Sequence, residues 1–357
     1  MTKFAPRKTL KQEINMRRWI LKAGTTDIEG LVLEDTPMPE PGPGEVRIRI
    51  HAVSLNYRDQ LVLKGLNGRL PDRDLVPVSD GAGEIDAIGS GVDTWAVGDR
   101  VTGLYFAWIG GTPKAELGFG LGSLNENGML AEYVVLPVDR VVRAPASLDY
   151  AEAATLPCAA LTAWNALYGD HPIGSDSKVL VLGSGGVSLF AMLLARAAGA
   201  QVIATSSQDA KLKRLVALGA SDGVNYRDTP NWGKAVFERT GGVNKVVNTA
   251  GIGTLNQSLA ALSYGGEVAL IGLMTFDDDG PLEYGALMGK GATVRGISVG
   301  NAKMYEALAQ AIDTHQVRPP IDRRFRFENA KDAYQALSSQ ELFGKIAIDL
   351  SDRKSRI

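Results

Sequence analysis

The stretch KVLVLGSGGVSLFAMLLARAAGAQVIATSS, residues 178–207, limits this chain more than any other segment. Val179, Leu180, Val181 and Leu182 form a short apolar run without polar alternation, the pattern of a strand covered on both sheet faces. Gly183, Ser184, Gly185 and Gly186 follow at once. An Ala/Leu-rich run over 187–198 then predicts a helix that opens at Val187 and is closed by Gly199, and 201–205 reads as a second short strand. Strand, glycine turn, helix and strand in that order is the unit that binds a dinucleotide. Gly183 lets the chain turn sharply, and Gly185 and Gly186 let bare backbone N–H groups reach a pyrophosphate at the helix N-terminus. Ser188 stands where the third glycine of G-x-G-x-x-G would be, a mild departure because Ser is nearly as small.

The 357 residues are enough for two domains, and the hydrophobic (45%) and charged (22%) fractions are those of a soluble globular protein. A net charge of −2 gives no electrostatic footprint for nucleic acid, and neither a basic block nor an apolar run points to a membrane. One cysteine excludes an internal disulfide and suits the cytoplasm. Residues 1–15 are basic (Lys3, Arg7, Lys8, Lys11) without the apolar core of a signal peptide, and read as a loose tail.

From Met16 to Val142 the pattern is mostly strands. RRWILKAG, GLVLEDT and EVRIRIHAVS carry alternating and β-branched apolar positions, and NYRDQLVLK (56–64) is a first short helix stopped by Gly65. The glycine-rich run from Asp80 to Val101 reads as tightly turned antiparallel strands. Residues 103–128 form a long irregular loop whose Tyr105, Phe106, Trp108 and Phe119 suit either a substrate wall or a cover over core. GMLAEYVVLP and DRVVRAP return to strands, and 150–168 is helical. Beyond Ser207 helices and strands alternate through ATVRGISVG, giving six strands with helical crossovers: a doubly wound parallel sheet. Helices over 301–315 and 328–338 and a closing strand, GKIAIDL, pack back on the first domain.

VSLNYRD, DGAGEIDAIGSGV…VGDRV, LPCAALTAW, VLVLGSGGV, ALGA…VNYR and GKIAIDL together resemble the medium-chain dehydrogenase/reductase superfamily. The resemblance implies an α/β chain with a GroES-like β-barrel catalytic domain (16–160, completed by 310–357) and a Rossmann dinucleotide-binding domain (161–309). It also implies a cleft between them that holds the active site, and a homodimer joined through the sheet edge around 295–300. Zinc-dependent alcohol dehydrogenases of this superfamily have a cysteine where this chain has Asn56 and a His-Glu pair where it has Ser79-Asp80; only their third ligand finds a match, in Cys158. A catalytic zinc needs three protein ligands. His51, His171 and His315 lie in no metal spacing, and the four-cysteine structural zinc lobe is impossible. The chain therefore reads as a zinc-free branch, similar to quinone oxidoreductases and enoyl reductases. Cys158 is then a small helix residue at the cleft, with a redox or substrate-contact role as the other reading.

An NAD site of this fold places Asp or Glu about 20 residues past the first glycine. Thr205-Ser206-Ser207 stands there without a carboxylate, which favours a 2′-phosphate and so NADPH. The resemblance points to Ser206, Lys211 and Tyr226 as the phosphate cradle, and to Thr162, Thr249, Ala250, Gly251, Ile271, Gly272, Val299 and Gly300 along the rest of the cofactor. Lys345 either reaches a phosphate or is a surface charge.

Hydride addition to a simple carbonyl builds a localised alkoxide, which a metal stabilises as a Lewis acid. Without one, an acceptor that spreads its own charge is easier: an enone, an α,β-unsaturated aldehyde or a quinone. Asn56 and Tyr57 are the candidate donors to the oxygen that gains charge, and Tyr57 is equally readable as cleft lining. Asp59 orients neighbours or forms an ion pair, and Arg58 faces solvent or a carboxylate. The expected activity is NADPH-dependent, zinc-independent reduction of activated C=C bonds or quinones. The alternatives are a zinc-free alcohol dehydrogenase using Tyr57 or Ser54 as acid, and a non-catalytic NADPH-binding sensor.

Overall fold

The computed structural model describes residues 15–65, 69–113, 117–124, 126–273 and 280–350. The expected N-terminal tail lies outside the described residues except for Asn15, which opens the first strand.

Strands β1 (Asn15–Leu21) and β2 (Leu31–Pro37) form an antiparallel pair beside a seven-stranded sheet. That sheet comprises β3 (Glu45–Leu55), β4 (Asp80–Ile88), β5 (Arg100–Gly103), β6 (Tyr133–Pro137), β7 (Val141–Arg143), β14 (Ile321–Arg326) and β15 (Lys345–Asp349). Its order is β14-β15-β3-β4-β5-β7, with β6 also on β3. Strand β3 is the hub: it pairs antiparallel with β4, β6 and β15, so the last described strand lies against residues 52–55, directly before Asn56. Helix α1 (Tyr57–Leu63) leaves the end of β3, and α10 (Ala330–Leu337) packs near it. Val46, Ile48, Ile50, Val53 and Leu55 enter one apolar cluster with Ile346 and Ile348, each such buried side chain contributing about 1.5–3 kcal/mol.

The second sheet is parallel, in the order β10 (Asp222–Asn225), β9 (Gln201–Ser206), β8 (Lys178–Leu182), β11 (Val243–Asn248), β12 (Leu262–Leu270) and β13 (Thr293–Gly296). The uninterrupted apolar run of β8 has a direct cause. Val179 and Val181 enter a cluster with α3 (Leu161–Tyr168) and α4 (Gly186–Ala197), whereas Leu180 and Leu182 enter a separate one with α6 (Trp232–Thr240) and α7 (Leu255–Ala261). Helix α5 (Asp209–Ala217) joins β9 to β10, α8 (Tyr284–Gly289) precedes β13, and α9 (Ala302–His315) follows it. The strand order reverses between β8 and β11, where open sheets of this kind bind their ligand.

Three elements depart from the sequence reading. Strand β14, IDRRFR, is an edge strand whose three arginines hide its alternation; charges of this kind keep an edge from pairing further. Helix α8 is short and contains two glycines, so its period is too weak to read. The helical stretch 150–168 is three pieces: α2 (Tyr150–Ala153), a π-helical turn (Leu156–Ala160) and α3. Pro157, which lacks an N–H, lies in the π turn beside Cys158.

Candidate active site and dinucleotide cleft

Asn56 is the N-cap of α1, in extended backbone (φ −126°). Its N–H donates to Asp59 Oδ2 (2.8 Å), and Asp59 Oδ1 accepts from Arg58 Nη1 (3.2 Å), so both carboxylate oxygens are committed. Arg58 does meet a carboxylate, but not solvent. Its guanidinium donates to the carbonyls of Leu121 (2.8 Å) and Phe119 (3.2 Å) and stands 5.3 Å over the Tyr105 ring. That side chain thereby fixes part of the aromatic loop against α1. Tyr105 and Phe106 are buried and edge-on to each other, cover over core, while residues 114–116 and 125 of the loop lie outside the described residues. Tyr57, next to Asn56, is exposed.

Lys345, the first residue of β15, is only 3% exposed, which removes the surface-charge reading. Its ammonium donates to Leu55 O and to Asn56 Oδ1, both at 2.5 Å. A lysine has no lone pair to offer, so the Asn56 oxygen must face it and Nδ2 must point away. Nδ2 approaches Ser79 Oγ (3.5 Å), Ser79 Oγ donates to Asp80 Oδ1 (2.6 Å), and Asp80 Oδ2 accepts from the Cys158 N–H (3.1 Å). Ser79 and Asp80 are fully buried. Burial pushes the Asp80 carboxyl up and the Lys345 ammonium down, each opposed by the other's charge. Val78, immediately before this pair, has φ +73°, a left-handed conformation that a β-branched residue adopts only under strain.

These residues do not fit a catalytic zinc. An amide and a hydroxyl stand at two of the positions that hold ligands in the zinc enzymes. A buried ammonium sits against the amide oxygen, and burial together with the charge of Asp80 pushes the Cys158 thiol up, away from the thiolate a metal needs. Among the described residues no group of three or more His, Cys, Asp or Glu could hold a metal.

Opposite lies the glycine loop. Gly183 has φ +78°, Gly185 is the N-cap of α4 with no side-chain cap, and a Cβ on Gly185 would meet nothing within 4 Å. No side chain caps the first N–H groups of α4, an arrangement that suits an anion, although Gly185 also forms a parallel bridge with Gly344. A Cβ on Gly186 would instead strike Lys345 Cδ at 2.6 Å, so the loop and the Asn56 cluster share a wall. Gly344 N donates to Ser184 O (2.9 Å), which ties β15 to the loop. Val187 is the second residue of α4.

At the carboxyl ends of β11 and β12, Asn248 Oδ1 accepts from the N–H groups of Ala250 and Gly251, and Ile271 and Gly272 donate to Asn248 O. A Cβ on Gly272 would lie 2.3 Å from Thr249 O, so these two turns touch. Thr249 Oγ1 and Ser188 Oγ both donate to Leu182 O (2.7 Å each); the serine in place of the third glycine pins α4 to β8. Ile271 and Gly272 also line an apolar cavity of about 430 Å³ with Ile252, Leu273 and Ile297. Val299 has φ +51° and its carbonyl accepts from Asn165 Nδ2 (2.7 Å), while Gly300 packs on Leu161. The Thr162 hydroxyl donates to Cys158 O. Ser206 and Tyr226 adjoin, Tyr226 N donating to Ser206 O (3.1 Å). Lys211 lies in the first turn of α5, but its ammonium is held by the carbonyls of Gln340 and Leu342 (2.5 and 3.0 Å).

Sequence reasoning did not assign Ser79, Asp80, Asn165 or Asn248 to the site. Ser79-Asp80 was read only as the pair replacing two zinc-enzyme residues, and Asn248, a polar residue ending an apolar strand before Thr-Ala-Gly, left a readable signal of its own. Asn165 and the contact of Asp80 with Cys158 depend on partners distant in sequence.

Residues 42–146 match the family described as alcohol dehydrogenase GroES-like domain, and residues 186–314 the family described as zinc-binding dehydrogenase. A zinc-type alcohol dehydrogenase-like protein of Schizosaccharomyces pombe is 36% identical over 342 residues, covering 93% of this chain and 99% of that protein. An acryloyl-coenzyme A reductase of Sulfurisphaera tokodaii is 28% identical, covering 90% and 96%. The crystal structure of a Sinorhizobium meliloti protein, named provisionally as an alcohol dehydrogenase, superposes with a TM-score of 0.87 at 40% identity, covering 96% of this chain and all of that one.

Proposed function

The chain belongs to the medium-chain dehydrogenase/reductase superfamily, an oxidoreductase family with nicotinamide cofactors, and on that premise we propose that it is an NADPH-dependent, zinc-independent reductase of activated C=C bonds or quinones. The observation that carries this reading is the buried Lys345–Asn56–Ser79–Asp80 cluster, a hydrogen-bonding centre whose residues are a poor ligand set for a metal. The similarity to an acryloyl-coenzyme A reductase, whose name specifies an activated C=C bond, supports the same acceptor class.

NADPH, held by the glycine loop and the strand ends named below, would supply hydride-donor chemistry for the β-carbon of the acceptor. The chain's own residues must then answer one change, the negative charge arriving on the acceptor oxygen. Asn56 Nδ2 and the Tyr57 hydroxyl are donors on the side of that oxygen, and an enolate spreads the charge so that neutral donors are enough. A proton from water at the α-carbon completes the saturated product. Asp59, with both oxygens occupied, positions Asn56 rather than transferring protons. The open N-terminus of α4, with Gly183, Ser184, Gly185, Gly186 and Val187, receives the pyrophosphate. Thr249, Ala250, Gly251, Ile271, Gly272, Val299, Gly300 and Thr162 line the remainder of the dinucleotide, and Ser206 and Tyr226 meet its 2′-phosphate. Lys211 joins them only by giving up two carbonyl partners.

Domain limits near 160 and 310 put the cleft between the two sheets. Among the described residues strand β13 ends the parallel sheet with one side unpaired, and pairing there with a second copy would make a homodimer; sedimentation at the mass of one chain would remove that part. No described helix is long and apolar enough to cross a membrane, and we take the cytoplasm as the site of action. The test of the acceptor class is NADPH oxidation with an enone and with its saturated ketone. Turnover of the enone and not the ketone is expected, and turnover of the ketone alone would replace this reading with a carbonyl reductase.

A further inference from the structure

Strand β13 leaves the parallel sheet at Gly296 and α9 begins at Ala302. The turn between them carries Val299 at φ +51°, a left-handed conformation that a β-branched residue adopts only when its surroundings hold it there. The holding group is Asn165. Arg295 Nη1 donates to Asn165 Oδ1 (3.0 Å) and Nη2 to Asn165 O (2.8 Å). A guanidinium has donors only, so Asn165 must face it with its oxygen and turn Nδ2 the other way. Nδ2 then donates to Val299 O at 2.7 Å, between two buried residues. Arg295 is itself seated against Glu267 (3.1 Å), a buried carboxylate that also pairs with Lys245 (3.2 Å). The amide is thus oriented from within the sheet. The far end of the turn is fixed from the first domain, where Ala302 N donates to Trp108 O (2.8 Å) and Lys303 N to Ile109 O (3.2 Å).

The position of the turn decides what it serves. A dinucleotide straddles the point where the strand order reverses, here between β8 and β11, with one mononucleotide half on each side. Ser206 ends β9 and Tyr226 follows β10, so a 2′-phosphate beside them puts the nicotinamide half over β11, β12 and β13. Ile297 and Ser298, directly before Val299, line the apolar cavity together with Ile271 and Gly272. We infer that Asn165, oriented by Arg295, is a positioning residue that holds the strained Val299 turn in the shape that receives the nicotinamide ring. The inference rests on the reading that the cleft takes a dinucleotide with its nicotinamide half on this side, and it is independent of the acceptor class.

The experiment titrates each variant with two ligands, NADPH and 2′-phospho-ADP-ribose, which is the same molecule without its nicotinamide. If the wild type prefers NADH, then NADH and ADP-ribose take their places. Asn165→Leu keeps the volume and removes the donor. It should raise the NADPH dissociation constant about three- to tenfold and leave that of 2′-phospho-ADP-ribose within about twofold. Asn165→Asp keeps a partner for Arg295 but sets an acceptor against the Val299 carbonyl; it should show the same selective loss, and it carries the test if the leucine variant does not fold. Glycine adopts left-handed backbone without strain. In a Val299→Gly background, Asn165→Leu should therefore change the ratio of the two constants by less than about twofold. Equal losses for both ligands would make Asn165 a general support of the fold and overturn the inference. So would an unchanged NADPH constant in both Asn165 variants, or a full loss that persists in Val299→Gly. A wild type inactive on both enone and ketone ends the proposed reaction but not this inference, because neither constant requires turnover.

Discussion

Two adjacent glycines of the loop should respond to the same methyl group in opposite ways. At Gly185 the backbone (φ −77°, ψ 174°) is open to any residue, and a Cβ meets nothing within 4 Å. Gly185→Ala should therefore leave the stability of the free protein within about 0.5 kcal/mol, since the small loss of N-cap preference offsets the reduced chain entropy of the unfolded state. The empty space is where the pyrophosphate approaches the backbone. Displacing it from one charge-assisted N–H bond costs about 1.5–3 kcal/mol, roughly a ten- to hundredfold rise in the NADPH dissociation constant. At Gly186 the Cβ would meet Lys345 Cδ at 2.6 Å and Ala159 Cβ at 3.4 Å. The lysine stem must retreat by about 1 Å within a packed interior, an overpacking cost of about 1–3 kcal/mol. That retreat drags the ammonium from Asn56, so Gly186→Ala should lose thermal stability and kcat together. Thermal melting without cofactor and fluorescence titration with NADPH separate the two effects. Wild-type NADPH affinity in Gly185→Ala would refute the placing of the pyrophosphate, and an unshifted melting temperature in Gly186→Ala would refute the shared wall.

Ser206→Asp sets a carboxylate where a 2′-phosphate is expected. About 3 kcal/mol of repulsion per unit charge at 5 Å, with an effective dielectric near 20, predicts a preference for NADH over NADPH in binding titrations; equal loss for both would move the phosphate elsewhere. Tyr57→Phe should slow turnover about tenfold or more without changing NADPH affinity, and an unaltered rate would leave Tyr57 as cleft lining. Cys158, whose thiol is pushed above its ordinary range by burial and by Asp80, should resist iodoacetamide at pH 8 in the native protein and react once unfolded. Rapid native alkylation would place a thiolate at the cleft.

The parallel sheet was legible because its determinants are local. The apolar run of β8 feeds two cores, and the glycines after it leave α4 uncapped. Asn56 was legible as a polar residue opening a helix. The chemistry around it was not, because it is assembled by topology. β15 reaches Asn56 only by pairing with β3 from nearly 300 positions away, and that pairing turns an ordinary Gly-Lys into a buried ammonium. Arg58 was readable as facing solvent or a carboxylate, and it meets Asp59, but its loop-carbonyl partners over 60 positions on were not readable. Strand β14 was missed because arginines occupy the positions where an alternation would show.

The most direct trial of the central claim is metal analysis and NADPH oxidation on one sample before and after exhaustive dialysis against a chelator. A hydrogen-bonding site in place of a metal predicts less than stoichiometric zinc at the start and the same rate with an enone afterwards. One tightly bound zinc per chain, with activity lost on removal and restored on its return, would contradict it.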